Sequence, residues 1–213
     1  MAWFVRKFTA QDKAAIRRLS CETAFFDLPR EAIFNDDEIL ADFLTLYFTD
    51  YEAGSCFVAV DNGDVVGYLI GSKNTAMMKK AINSEIVPAL TAKIFRRKTL
   101  FSKTNIRFLL YCLLSLVKGE FFMKNFSKEY PATLHININK AYRKQGIGRK
   151  LIETYLSFLQ ECGVKGVYLS TISENARTFF LKLGFDILCV KKRSYLKLLT
   201  AREVNLYVLG KRL

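Results

Sequence analysis

The sequence holds one histidine and three prolines in 213 residues. Its five cysteines, Cys21, Cys56, Cys112, Cys162 and Cys189, are odd in number and scattered, with no metal-ligand spacing between them. A zinc site draws on clustered Cys and His, so no metal is expected. Unpaired thiols read as reduced, which fits a cytoplasmic protein. Three prolines and no low-complexity tract exclude long linkers and disorder. No internal repeat is present, and the length suits one compact domain over residues 1–213. The start, Met1 to Lys7, lacks the apolar stretch of a signal peptide, because charge follows at once. No apolar run approaches the roughly 20 residues that cross a bilayer, so no transmembrane segment is expected.

Charge, by contrast, is abundant and uneven. The net charge is +13. Residues 1–72 carry 6 basic and 12 acidic side chains, whereas residues 73–128 carry 12 basic and 2 acidic. An acidic first third beside a basic middle reads either as a basic surface for anions or as a basic pocket beside an acidic one. Hydrophobic residues make up 51% of the chain, enough for a sizeable core.

The strongest local signal lies at Tyr142-Arg143-Lys144-Gln145-Gly146-Ile147-Gly148-Arg149-Lys150. An alternating strand, Leu134 to Ile138, precedes it, with Leu134, Ile136 and Ile138 on one face. An amphipathic helix from about Gly146 to Cys162 follows, with Ile147, Leu151, Ile152, Tyr155 and Leu159 at helical spacing. A glycine turn that opens a helix presents unpaired N–H groups at the positive end of the helix dipole. That is a site for phosphate. The pattern Gly-x-x-x-x-Gly-Lys-Ser/Thr of a P-loop is absent, and Leu151 stands where the dinucleotide fingerprint needs a third glycine. A plain strand-turn-helix with a glycine cap remains the alternative.

A second segment narrows the choice. Gly166 to Thr171 reads as a buried strand, Ser173-Glu174-Asn175 as a helix entry, and Ala176 to Leu183 as a short helix closed by Gly184 before Phe185. The loop Arg143-x-x-Gly146-x-Gly148 and the end Phe179-Phe180-Leu181-Lys182-Leu183-Gly184-Phe185, in this order, resemble the GNAT superfamily of N-acetyltransferases. The resemblance runs from about Thr133 to Val190. A narrower likeness, through Tyr130-Pro131-Ala132-Thr133-Leu134-His135-Ile136, links the chain to bacterial relatives of the acetyltransferase-like domain of O-GlcNAcase. That domain is often regarded as a pseudo-acetyltransferase.

The N-terminal half fits the same family order. Trp3 to Phe8 reads as a strand, and Thr9 as the cap of a helix with Ala14, Ile16 and Leu19 inward. Cys21 to Pro29 reads as a loop or broken helix, and a second helix begins at Asp36-Asp37-Glu38. Phe57 to Val60 and Val65 to Gly71 form a hairpin around Asn62-Gly63. About 60 residues then intervene, too many for a structureless loop. Met77 to Ile82 and Ala89 to Phe95 read as helices, and Ile106 to Val117 as a denser apolar helix that is best buried. An interfacial membrane helix or a dimer contact are its alternatives. The basic run Lys93, Arg96, Arg97, Lys98, Lys103 and Arg107 reads as a solvated face, with phosphate or acidic-acceptor binding as the other reading. Nucleic-acid or acidic-lipid binding by residues 73–128 is a rival reading; interleaved aromatics there sit in apolar patterns, which favours core, and no nucleic-acid partner is expected.

The resemblance implies a mixed α/β (α+β) fold: a central mixed twisted sheet flanked by helices, with a helical basic insertion at about 73–130 between the third and fourth strands. It implies acetyl-CoA as co-substrate and a small-molecule or peptide amine as acceptor, with a homodimer possible. The cofactor would lie between splayed strands Leu134–Ile138 and Val167–Thr171. Backbone groups of Ile136 and Ile138 would hold the pantetheine arm, with Asn137 between them also counted as cofactor-binding, and the stretch Arg143, Lys144, Gln145, Gly146, Ile147, Gly148 and Arg149 would hold the pyrophosphate. The family's asparagine contact maps to Ser173, with Asn175 offset by two. The family's tyrosine acid maps to Phe180, which donates no proton, so the resemblance also permits a module that binds coenzyme A without turnover. Tyr168 is the candidate substitute acid, with core packing as its alternative role. His135 and Asn137 share one strand face, where an imidazole near its ordinary pKa of about 6.5 suits a base; a histidine satisfied within the core is the alternative. Asp27, Asp36, Asp37 and Glu38 are candidates to attract a cationic acceptor, though Asp36 also reads as a helix cap.

Overall fold

The computed structural model describes residues 3–24, 33–122, 124–194 and 204–213. Its strands are β1 (Phe4–Lys7), β2 (Phe57–Asp61), β3 (Asp64–Ser72), β4 (Ala132–Ile138), β5 (Gly166–Thr171), β6 (Asp186–Arg193) and β7 (Val204–Arg212). They form one sheet in the order β1-β2-β3-β4-β5-β7-β6. Only the β4–β5 pairing is parallel. The expected mixed sheet with an insertion after its third strand is therefore what the chain forms. Strands β6 and β7 lie beyond the last element read from the sequence.

The hairpin forms around Asn62 and Gly63, whose φ angles of 49° and 88° are those of the turn that Asn-Gly favours. Thr9 and Asp12 form a reciprocal capping box before α1 (Lys13–Thr23). Helix α1 runs on through Cys21 to Thr23, where a loop or broken helix was expected; Asp27 lies outside the described residues. Asp36 caps α2 (Asp37–Leu46) by accepting from the Ile39 N–H at 3.3 Å.

Two apolar layers flank the sheet. On one face Leu151, Ile152, Tyr155 and Leu159 of α6 (Ile147–Glu161), with Phe180 of α7 (Glu174–Lys182), pack on Phe57, Leu69, Leu134 and Val167. On the other, Ile16 and Leu19 of α1 pack on Val58, Val60, Tyr68 and Ile70. Helix α6 starts at Ile147, one residue later than expected, because Gly146 takes φ +87°.

The insertion is helical as expected, with α3 (Thr75–Ala81), α4 (Val87–Arg96) and α5 (Lys103–Val117). It packs on α2 through Ile86, Leu90 and Phe108. The uneven charge is partly spent at this joint. Asp36 accepts from Arg97 at 3.0 Å and from Thr99 at 2.5 Å, and Asp42 pairs with Lys93 at 2.5 Å and with Arg17. Asp36 thus serves as a cap and a joint.

Helix α5 corrects the sequence expectation. Its fully buried positions are Asn105 and Ser115, with Phe108 half-buried against Phe34, while Ile106, Leu110, Leu113 and Val117 face solvent. Asn105 donates to the Thr99 carbonyl at 2.9 Å and accepts from the Asn35 N–H at 2.6 Å, and Ser115 meets Ser194 at 3.2 Å. These polar anchors hold the helix with its leucines outward.

Candidate functional site

Strands β4 and β5 pair only at Ala132–Val167 and Thr133–Tyr168. Beyond these two pairs they diverge, and β4 keeps its other edge on β3 through the full register from Ser72–Thr133 to Gly67–Ile138. The Asn139 N–H donates to the Val66 carbonyl at 2.9 Å, on the β3 side. Main-chain groups alternate along a strand, so those of Ile136 and Ile138 point into the gap. The Ile138 carbonyl there accepts from Arg143 Nε at 3.2 Å.

The glycine loop closes the open end of this gap. Lys144 and Gly146 both take positive φ, 64° and 87°, which turns the chain sharply into α6. Gly148 is needed for another reason. A Cβ there would stand 3.0 Å from Ile138 Cδ1 and 3.3 Å from Phe179 Cζ, so a glycine lets the helix start lie against β4 and α7 without displacing either side chain. The first turn of α6 contains no acidic residue, and its N–H groups have no intrahelical carbonyl to bond. Arg143, Lys144, Gln145 and Arg149 are exposed around it; the Gln145 amide donates to the Ala141 carbonyl at 3.0 Å. Ile147 contributes its backbone here while its side chain is buried in the core. An extended ligand with a dianionic end fits this arrangement in polarity: backbone donors along a strand edge, then a cationic helix start.

On the α1 face of the sheet, β4 presents Thr133, His135 and Asn137, and β5 presents Tyr168 opposite Thr133. His135, Asn137 and Tyr168 thus lie on the same face of the sheet, with Tyr168 beside the first strand pair and the other two further along β4. Asn137 Nδ2 lies 2.8 Å from the Tyr68 hydroxyl and 3.0 Å from His135 Nε2. His135 keeps partial access to solvent but is densely surrounded by protein, and that burial lowers its pKa to about 4. It is neutral at pH 7, a weaker base than its ordinary value implies. Burial raises both Tyr68 and Tyr168, so both are protonated near neutrality. Tyr168 packs beside Phe126, with ring centroids 6.2 Å apart.

At α7, Ser173 is the N-cap and accepts from the Ala176 N–H at 3.2 Å, while Asn175 is exposed in the first turn. Ser173, to which the family's asparagine contact maps, thus serves as the helix cap. Phe180 is 3% exposed and sits between Phe179 and Phe185, at 5.2 and 5.3 Å between centroids. It is a core residue. Phe179, its neighbour, is the ring that reaches Gly148, which sequence reasoning missed because both positions are phenylalanine. Tyr68 was also missed; its place in an apolar strand run gave no polar signal. Among the acidic candidates, Glu38 pairs with Arg17 at 2.8 Å and Asp37 begins α2. Among the described residues no cluster able to hold a metal is present, and no helix is long and apolar enough to cross a membrane.

Residues 117–185 match the model of the acetyltransferase (GNAT) family. Comparison with curated proteins gives no match. Among solved structures, the protein SsHAT is similar over all of this chain and 98% of its own, with 24% identity and a TM-score of 0.77. The Drosophila melanogaster polyamine N-acetyltransferase, which forms N-acetylagmatine, is similar over all of both chains at 17% identity and a TM-score of 0.63. A GNAT superfamily phosphinothricin acetyltransferase from Sinorhizobium meliloti, in complex with acetyl-CoA, is 16% identical, with a TM-score of 0.58 over all of this chain and 89% of its own. The chain has the GNAT fold.

Proposed function

We propose that this GNAT-fold chain is an acetyl-CoA-dependent N-acetyltransferase acting on a primary amine of a small molecule or peptide. The observation that carries the reading is the divergence of β4 from β5 after two residue pairs, with the glycine loop at its open end. The solved relative with acetyl-CoA bound supports the choice of co-substrate. Backbone groups of Ile136 and Ile138 hold the pantetheine arm as an added strand would, and the N–H groups from Lys144 to Arg149 take the pyrophosphate with help from the loop cations. No metal is called for.

The amine attacks the thioester directly in a ternary complex. It must arrive uncharged at nitrogen. The neutral His135 and Asn137 offer hydrogen-bond partners on that face rather than a strong base, so proton removal falls to solvent or to a weak base acting through water. A strand N–H turned into the gap supports the developing oxyanion. Phe180 gives no proton to the leaving thiolate, but a thiol with a pKa of about 8.5 leaves tolerably without one. Tyr168, protonated and on the face of His135 and Asn137, is the substitute acid of this reading.

Titration calorimetry with acetyl-CoA, then thiol release over a panel of primary amines, tests this. Binding with release on at least one amine is expected. Binding without release on any acceptor would favour the alternative, a coenzyme A-holding module, for which the proton-free Phe180 is the specific argument. No binding would sink both.

A further inference from the structure

The outward face of α5 is the largest feature the acetyl-transfer reading leaves unused. Ile106, Leu110, Leu113 and Val117 recur at helical spacing along its centre, and Leu109, Leu114 and Leu116 widen the stripe. Phe101 just before the helix is 84% exposed, Val117 at its end 80%, and Phe122 just after it 72%. Soluble surfaces carry isolated leucines without consequence, but a continuous stripe of this kind marks a contact. The two polar residues that a water-facing helix would display, Asn105 and Ser115, are instead buried as anchors.

Charge identifies what the stripe meets. Between Glu85 and Glu120 stand seven basic side chains and no acidic one; Lys93 and Arg97 pair with Asp42 and Asp36 at the α2 joint, and Arg96, Lys98, Lys103, Arg107 and Lys118 are exposed. Lys103, Arg107 and Lys118 fall along one edge of the stripe by helical spacing, and all three are exposed. A second copy would bring the same cations against this face with no carboxylates on it to answer them. An anionic lipid surface supplies both the apolar layer and the complementary charge. At 15 residues the helix is about 22 Å long, short of the roughly 30 Å hydrocarbon core, so it lies along the membrane rather than through it.

We infer that the outward apolar face of α5, with Lys103, Arg107 and Lys118 on its border, docks the protein on an anionic membrane surface. The apolar stripe enters the boundary between headgroups and acyl chains, and the cations remain at headgroup level. This is independent of acetyl transfer.

Co-sedimentation of the full chain with vesicles tests it. Binding to phosphatidylserine-containing phosphatidylcholine vesicles is expected, with little binding to pure phosphatidylcholine and a loss on adding salt. Leu113→Glu should weaken binding about tenfold or more, since burying a leucine is worth that much in partition. The double variant Lys103→Glu/Arg107→Glu should weaken it at least several-fold while leaving the apolar face intact. Both sites are exposed, and an unchanged melting transition confirms the fold of each variant. Equal binding to neutral and anionic vesicles, or none to either, overturns the inference. So does a dimer in light scattering that Leu113→Glu converts to monomer without any vesicle binding by the wild type.

Discussion

Asn137 and Tyr68 are directly opposite on β4 and β3 and are joined by a 2.8 Å hydrogen bond, so the face behind the gap is tied together by polar groups. The same Asn137 nitrogen reaches His135 at 3.0 Å. The pair fixes the imidazole within an otherwise apolar layer that includes Ile70 and Leu19. It also sets how His135 responds to pH.

His135 has a folded pKa of about 4 against an ordinary 6.5, lowered by burial. Between those values the unfolded chain binds more protons than the folded one, so stability rises with pH across that window and is lost as pH falls through it. His135→Gln should remove this component. Denaturant unfolding of the two proteins at several pH values should show their difference shifting by up to about 3 kcal/mol between pH 7 and pH 4, in the direction that penalises wild type at low pH.

Gly148→Ala places a Cβ against Ile138 and Phe179 at distances that force one of them to move. A loss of about 1–3 kcal/mol is expected from overpacking. Because Ile138, whose side chain must shift, stands at the end of the strand that lines the gap, affinity for acetyl-CoA should fall with it. Thermal unfolding and calorimetry on the same sample check the two effects together.

Lys144→Glu and Arg149→Glu replace exposed cations at the start of α6. Neither side chain supports the core. Each should raise KM for acetyl-CoA several-fold, roughly 1 kcal/mol of lost attraction near a helix N-terminus, with kcat little changed. The KM increase should shrink in high salt. Steady-state thiol release at two ionic strengths measures both.

Asp36→Ala removes at once the α2 cap, the Arg97 ion pair and the Thr99 hydrogen bond. A loss of about 2–4 kcal/mol is expected, seen by denaturant unfolding. Burial opposes ionisation of Asp36 and of Asp42, yet hydrogen bonds from Arg97 and Thr99, and from Lys93 and Arg17, hold both below the usual carboxylate value. Their contribution is therefore fully present above about pH 4 and is lost as pH falls further. Asp36→Ala should flatten that acid limb.

The sequence was most legible where backbone geometry allows few residues. Asn62-Gly63 announced the hairpin because both positions need positive φ, and Gly146 with Gly148 announced the loop for the reasons of angle and space now visible. Helix α5 misled because a high density of apolar residues does not say which face turns inward; Asn105 and Ser115 are the positions buried, and the leucines face out. Strands β6 and β7 went unread for opposite reasons. β6 is an edge strand exposed at most positions, with Lys191 and Lys192 along it, and β7 buries Tyr207 to Gly210 in succession, so neither alternates. The depressed His135 depends on how much protein surrounds it, which no spacing reveals. Asp36 was placed near an acceptor by position in the chain; its partners lie some 60 residues away, beyond local reasoning.

The two pairs that join β4 to β5 make the sheet two ribbons stitched at one end. Four strands lie on one side of the stitch and three on the other, and each ribbon is internally antiparallel. Beyond the stitch, α6 and α7 on one face are what span the ribbons. The amide hydrogens of Ile136 and Ile138 should therefore exchange with water as those of an outer strand would, although β4 is the middle strand of the sheet. An extended molecule laid along them adds a further stitch, so the same contacts that hold a ligand also clasp the two ribbons into one.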